Sequence, residues 1–197
     1  MGSDKALLAY RGSTFLQHLL DLFLPQVSPV IVVLGHNADK IRATIPPSPG
    51  VQIVINSNYR AGQLSSLQTG IRALPWESAA ALVTLVDHPA VAGSTIAALV
   101  GRFESSPAPL VLPRYDGRRG HPVILSRALL DEILALPASA SAKDVVHAHQ
   151  HHAAYVDVDD LGVIRDVDTP ADYEDLGNQR GPGRLPGGPS GELGSPG

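Results

Sequence analysis

The 197-residue chain contains no cysteine. Disulfides, thiolate zinc sites and cysteine nucleophiles are thereby excluded. No apolar run approaches the roughly 20 residues that span a bilayer, and the first residues lack the charged-then-apolar pattern of a secretory signal. Basic residues are sparse as well: 15 Lys and Arg stand against 19 Asp and Glu, a formal charge of −4, and they form no stripe. A nucleic-acid partner is therefore not indicated, nor is a membrane. A chain of this length builds one domain with a sizeable core, and the cytoplasm is its expected location.

The segments that are present alternate between strand-like and helix-like patterns. Pro29 to Leu34, Val51 to Ile55 and Ala79 to Val86 are short continuous apolar runs, as in strands buried on both faces of a parallel sheet. Phe15, Leu16, Leu19, Leu20 and Phe23 mark one face of an amphipathic helix, and Leu64, Leu67, Ile71 and Leu74 mark another. Further helices are predicted over 38–44, from Ser94 to near Phe103, and from Ser126 to Leu136. Leu110 to Leu112 and Pro122 to Leu125 read as short strands of a hairpin-like insertion around a glycine-rich loop. The alternation predicts an α/β fold, a Rossmann-like and mostly parallel sheet flanked by helices with right-handed crossovers. From Gly177 onward Gly, Pro and Ser dominate, a composition that does not offset its ordering entropy. A folded domain over 1–176 followed by a disordered tail over 177–197 is expected.

Asp87 is the residue most suggestive of chemistry. It closes the third apolar run, just before Pro89, and ligands of open α/β sheets bind at the carboxyl ends of strands. Alone it would serve equally well as a turn or cap residue. A second acidic segment, Val163 to Asp168, reads as another strand end, and a pair of carboxylates at strand ends suits a hard cation such as Mg²⁺. Lys5, close behind Gly2, is placed to act as a point charge on a phosphate, or is simply solvated. Asn58, Gly62, Ser65 and Ser66 surround a glycine turn that delivers two serines into the first turn of a helix. This is a setting for anions or base-edge acceptors, or for plain capping. Thr169, Pro170 and Asp172 make a sound helix start and leave Asp168 without a structural task. Tyr115 to Pro122 is a cationic loop suited to an anionic substrate or to an exposed turn. His147 and His151 have the spacing of a chelating pair on a helix, though surface histidines fit the pattern better.

Taken in chain order, these blocks resemble the MobA-like nucleotidyltransferases. The matching pieces are the Met1-Gly2-x-x-Lys5 start, Asn58…Gly62…Ser65-Ser66-Leu67…Gly70, Asp87-His88-Pro89, Gly117 to Val123, and Asp166 to Asp172. The branch most resembled is that of the molybdenum-cofactor cytidylyltransferases, and the resemblance runs from Met1 to about Leu176. It implies a sheet of the nucleotide-diphospho-sugar transferase type that binds a nucleoside triphosphate, CTP in this branch, with Mg²⁺. It implies transfer of the nucleotidyl group to the phosphate of a molybdopterin-type acceptor with release of pyrophosphate, and a molybdoenzyme as a possible recipient of the product. Carried over by position, Lys5 and Asp87 are catalytic, and Gly2, Lys5, Asn58, Gly62, Ser65 and Ser66 bind the nucleotide. Asp87 and Asp168 hold the metal, and Arg119, Gly120, His121 and Pro122 face the acceptor. The family begins with a strand and a glycine-rich loop that ends in Met-Gly, so Met1 is expected to be an internal residue of a longer natural protein. Other phosphorylated acceptors, such as a sugar phosphate, and a non-catalytic nucleotide-binding remnant are the competing readings.

Overall fold

Chain order alternates strands and helices around two β layers in the computed structural model, which describes residues 4–178. A 3-10 turn, Lys5–Leu7, leads into a two-residue hairpin of β1 (Ala9–Tyr10) and β2 (Ser13–Thr14). Arg11 and Gly12 both take positive φ, 48° and 85°, as a tight two-residue hairpin requires. Thr14 then caps α1 (Phe15–Phe23), its hydroxyl accepting from the Gln17 N–H at 3.2 Å, and the helix buries Phe15, Leu19, Leu20 and Phe23. β3 (Val30–Leu34), α2 (Ala38–Arg42) and β4 (Val51–Ile55) form a parallel βαβ unit, with Val30 opposite Val51 and Leu34 opposite Ile55.

The second layer starts after α3 (Gln63–Ala73) with β5 (Ala80–Val83), followed by α4 (Gly93–Ser105). β6 (Leu110–Tyr115), β7 (Arg118–Arg119) and β8 (Val123–Ser126) supply the insertion, and α5 (Arg127–Ala135) and α6 (Ala142–Ala148) follow it. β9 (Ala153–Asp157) and α7 (Pro170–Asn178) complete the described chain. The strand order is β5-β8-β6-β7, with β9 on the other edge of β6. β5 and β6 run antiparallel to β8, whereas β9 runs parallel to β6. The α/β class holds, but the sheet is mixed rather than mostly parallel. β8 returns from β6 through a short hairpin connection, and such a connection permits only antiparallel pairing.

Two buried clusters hold the layers together. Leu64 and Ile71 of α3 meet Leu129, Leu130 and Ile133 of α5 over Leu110, Leu112 and Leu125, while Leu19 and Phe23 of α1 meet Ile96 of α4 and Val163. Among the described residues β3 pairs only with β4, and β5 only with β8. Both strands line one cavity of about 1260 Å³, together with apolar residues of α1 and α3 such as Phe23, Leu67 and Ile71. The sheet layers are thus not joined by a continuous ladder among the described residues; β3 and β5 each present an edge without a strand partner there.

Two expected elements differ. Val163 to Asp168 is not a strand. Leu161–Ile164 forms a 3-10 turn, because the Asp160 carboxylate accepts from the Gly162 N–H at 3.0 Å and tightens the chain. Of the predicted tail, residues 177 and 178 belong to α7, and the remainder lies outside the described residues.

Candidate functional site

The 3-10 turn at the start of the described chain aims Lys5 into the sheet's carboxyl end. Asp4 anchors that turn, its carboxylate accepting from Asn37 Nδ2 at 3.0 Å and pairing with Lys40 at 3.3 Å, while the Leu7 N–H donates to the Asp4 carbonyl at 2.9 Å. The Asn37 hydrogen bond, assisted by Lys40, holds the Asp4 carboxyl below its usual range. Asp87 lies beyond the end of β5, and the segment 165–168 is stitched beside it. The Val167 N–H donates to the Asp87 carbonyl at 2.9 Å, which carries Asp168 to the same place without a strand.

The Lys5 ammonium bonds both carboxylates, Asp168 through Oδ1 and Asp87 through Oδ2 at 3.5 Å. Burial opposes the Lys5 charge, but the Asp168 hydrogen bond and the charges of both carboxylates outweigh it and raise its pKa. The hydrogen bond and charge of Lys5 in turn lower that of Asp168. Asp87 is the sheltered partner at 22% exposure and Asp168 the open one at 61%. Asp87 Oδ1 is buried without a hydrogen-bond partner. An orphaned carboxylate oxygen beside a second carboxylate on one shared cation is a fitting donor set for a hard divalent ion. Among the described residues no group of three or more metal-ligating side chains converges. A cation on Asp87 and Asp168 would therefore complete its shell with water and substrate phosphates, the usual habit of Mg²⁺.

His88 and His121 flank this centre. Their ring centroids are 4.8 Å apart, and His88 Nε2 lies 3.9 Å from Asp87 Oδ1. Burial first, and then the neighbouring His88, lowers the His121 pKa. His121 is placed by its backbone: its N–H donates to the Val163 carbonyl at 2.7 Å, and that of Gly120 to Pro113 at 3.1 Å. A side chain at Gly120 would put Cβ 2.0 Å from the Val163 oxygen, so only glycine permits this docking. Pro122 is buried next to it, and Arg119 is exposed with its guanidinium on Gln150 Oε1 at 3.2 Å.

The serine turn forms the third part. Gly62, at φ 100°, precedes α3, and Ser65 and Ser66 sit in the first turns of that helix. Buried Asn56, the residue after β4, donates Nδ2 to Ser65 Oγ at 2.9 Å and to Ser66 Oγ at 3.0 Å. Asn58 contributes backbone only, its N–H to Asn56 Oδ1 and its carbonyl to the Ser65 hydroxyl, with an exposed side chain. Gly62, Ser66, His88, Arg119, Gly120 and His121 line the same cavity.

The structure thus brings Lys5, Asp87 and Asp168 into one centre and the serine turn and histidine loop to one cavity. Gly2 lies outside the described residues. Asp4, Asn56 and Asp160 were not singled out from the sequence. Asp160 accepts from the Ala92 N–H at 2.8 Å and the Thr95 hydroxyl at 2.6 Å, joining α4 to the segment behind the site. Thr169 and Asp172 cap α7 as expected, the Asp172 carboxylate accepting from the Thr169 N–H at 2.7 Å. His147 and His151 do not share a helix face, because α6 ends at Ala148 and a separate 3-10 turn follows; His149 instead pairs with Glu132 at 2.7 Å. No helix among the described residues is long and apolar enough to cross a membrane.

The sequence profile of the MobA-like NTP transferase domain matches residues 1–153. The chain is 24% identical over 173 residues to the molybdenum cofactor cytidylyltransferase of Escherichia coli strain K12, covering 88% of this chain and 86% of that protein. It is 23% identical over 183 residues to the molybdenum cofactor guanylyltransferase of Vibrio cholerae, covering 89% and 84%. Among solved structures, Rv0371c from Mycobacterium tuberculosis H37Rv in complex with manganese superposes with a TM-score of 0.74 at 28% identity, covering 89% of this chain and 92% of that one.

Proposed function

The chain belongs to the MobA-like NTP transferase family, a family of nucleotidyltransferases, and from that premise we propose that it transfers CMP from CTP to the phosphate of a molybdopterin-type cofactor. Mg²⁺ is the proposed metal and pyrophosphate the second product. The observation that carries this reading is the single ammonium of Lys5 shared by Asp87 and Asp168. Residues from three distant parts of the sequence converge there on one cation-sized position.

In this reading an oxygen of the acceptor phosphate attacks the α-phosphorus, and the bond from that phosphorus to the bridging oxygen of the β-phosphate breaks. The acceptor oxygen is already anionic, so no strong general base is needed. Positioning and charge neutralisation are the main protein contributions to such a transfer. The metal, when bound to Asp87 and Asp168, neutralises charge on the phosphates. Lys5 moves its ammonium toward the triphosphate and neutralises more of it. Gly62 and Ser66 hold the base, with Ser65 bracing the turn. Gly120, His121 and Pro122 present a neutral ring and a backbone edge to the acceptor, and Arg119 supplies the positive charge for its anionic groups. The similarity to molybdenum cofactor cytidylyl- and guanylyltransferases supports this acceptor class.

The transferase domain is proposed to span 1–176. The apolar part of the cavity, between β3 and β5, is proposed to take the strand that opens the family's fold, pairing with both free edges and leaving the end lined by Gly62, Ser66 and His121 to the ligand. A version extended by such a strand and its glycine loop should melt higher and bind CTP more tightly. Equal melting and affinity would remove that assignment.

The test of function is pyrophosphate release with CTP, GTP or ATP against a panel of phosphorylated acceptors. Turnover with CTP and the pterin phosphate, lost in Asp87→Asn, is the expected result. Turnover only with a sugar phosphate would move the acceptor, and none with any pair would make the domain a non-catalytic nucleotide binder.

A further inference from the structure

Asp87 and Asp168 are held side by side by backbone bonds that do not involve Lys5. The Val167 N–H donates to the Asp87 carbonyl at 2.9 Å, and the Asp172 carboxylate accepts from the Asp168 N–H at 3.1 Å. Two carboxylates fixed together repel unless a cation stands with them. In the nucleotide-free chain that cation is the Lys5 ammonium, which bonds Asp168 Oδ1 and Asp87 Oδ2. Among the described residues no other lysine or arginine pairs with either carboxylate. The imidazole of His88, 3.9 Å from Asp87 Oδ1, is the remaining basic group beside them.

The ammonium balances the charge but does not complete the site. Asp87 Oδ1 stays buried without a hydrogen-bond partner. An ammonium is a compact point charge on a four-carbon stem, with no fixed direction for its three donors. The Lys5 side chain is 26% exposed, so the stem can swing off the carboxylates without a change in the 3-10 turn that carries it. A divalent ion held by both carboxylates needs the space between them that the ammonium fills.

Resting on the metal-binding reading above, we propose that Lys5 is a place-holder for the metal. In the nucleotide-free chain its ammonium keeps a divalent cation off Asp87 and Asp168, and a triphosphate that draws the ammonium away opens the pair to the ion. The metal therefore enters with the nucleotide rather than ahead of it. Lys5 acts on the two ligands in opposite senses, opposing the metal alone and favouring the triphosphate. Replacing it moves the two affinities apart, which no general loosening of the site does.

The measurement is Mn²⁺ binding to the nucleotide-free full chain, read from the electron paramagnetic resonance of the free ion. The variants are K5M, D168N, their combination, and R165M. The last removes a positive charge three residues before Asp168 that bonds neither carboxylate among the described residues. K5M should bind Mn²⁺ about tenfold more tightly than the parent, the worth of two partly exposed ion pairs. R165M should stay within about twofold of the parent, and the gain from K5M should shrink to about twofold once Asp168 is gone. CTP without metal, followed by calorimetry, should bind K5M more weakly than the parent. Equal Mn²⁺ affinity in the parent and K5M overturns the proposal, as does a gain of the same size in R165M or one undiminished without Asp168. Weaker binding of both ligands by K5M overturns it too. Should K5M fail to fold, Lys5→Gln, neutral but still a donor, is held to the same outcomes. The metal reading is judged separately, by the effect of Mn²⁺ on CTP affinity in the parent and in Asp87→Asn. A strengthening lost in D87N keeps the metal on the carboxylates, and any failure above then refutes only the role of Lys5. A strengthening equal in both takes the metal off Asp87, and the proposal falls with that reading.

Discussion

Replacing Gly120 with alanine should loosen the acceptor loop and spare the nucleotide side of the site. The added methyl would sit 2.0 Å from the Val163 oxygen and 2.5 Å from its carbonyl carbon, both backbone atoms that have no rotamer to yield. Restoring a tolerable 3.0 Å moves the loop by about 1 Å. The adjacent bond from the His121 N–H to the same oxygen, 2.7 Å long, then stretches past hydrogen-bonding distance. Leaving that buried pair unmade costs about 1–3 kcal/mol, and residual crowding adds about 1–3 kcal/mol. The sum, about 2–6 kcal/mol, lowers the melting temperature of a domain this size by roughly 4–24 °C. Far-UV circular dichroism is the appropriate probe, because the single tryptophan, Trp76, is 84% exposed and reports little on the core. Nucleotide affinity should change little, since among the described residues Lys5, Asp87 and the serine turn form no hydrogen bond with the loop backbone, while KM for the acceptor should rise. A variant that melts with the parent and keeps its acceptor KM would show that the loop is not held on Val163, and the placement of His121 would fall with it.

Asp160→Ala should destabilise the fold by about 2–4 kcal/mol, because the Ala92 and Gly162 N–H groups and the Thr95 hydroxyl all lose their acceptor; chemical denaturation checks this, and Asp160→Asn should lose less. Lys5→Met should raise the Asp168 carboxyl pKa toward the ordinary carboxylate value, read by carbon-13 NMR titration, since the Lys5 hydrogen bond and charge are what lower it. The sign for stability follows: the Lys5–Asp168 pair contributes above the ordinary carboxylate pKa and is lost as pH falls through the lowered one. In Lys5→Met that part of the acid-side decline should disappear.

Much of the layout was legible in the sequence, for definite reasons. The amphipathic spacing of Phe15, Leu19, Leu20 and Phe23 marks α1 because those residues form its buried face, on which Leu19 and Phe23 meet α4, Phe15 meets Tyr10 and Val167, and Leu20 meets β3. Asp87 stood out because it closes a short apolar run and a second acidic segment follows far along the chain; alone it read equally well as a turn or cap residue. Asp168 was found for a partly mistaken reason: its segment is not a strand, and it reaches Asp87 through the Val167 N–H instead. The apolar spacing of Val163, Ile164 and Val167 imitated a strand, and nothing local announced that Asp160 would fold it into a turn. β9 escaped notice behind the histidine-rich segment, and its parallel pairing with β6 depends on contacts far apart in sequence. Asn56 was not singled out in the sequence at all. Its role depends on Ser65 and Ser66, which reach it only once α3 packs against β3 and β4.

The most direct test follows the label in CTP. The purified chain is incubated with Mg²⁺, the pterin phosphate acceptor and CTP carrying phosphorus-32 at either the α or the γ position. Nucleotidyl transfer places the α label in the product and the γ label in pyrophosphate, in equal amounts, and Asp87→Asn abolishes both. Label from the γ position in the product would mean a kinase reaction, and product formation undiminished in Asp87→Asn would mean that the centre built by Lys5, Asp87 and Asp168 does not carry the chemistry.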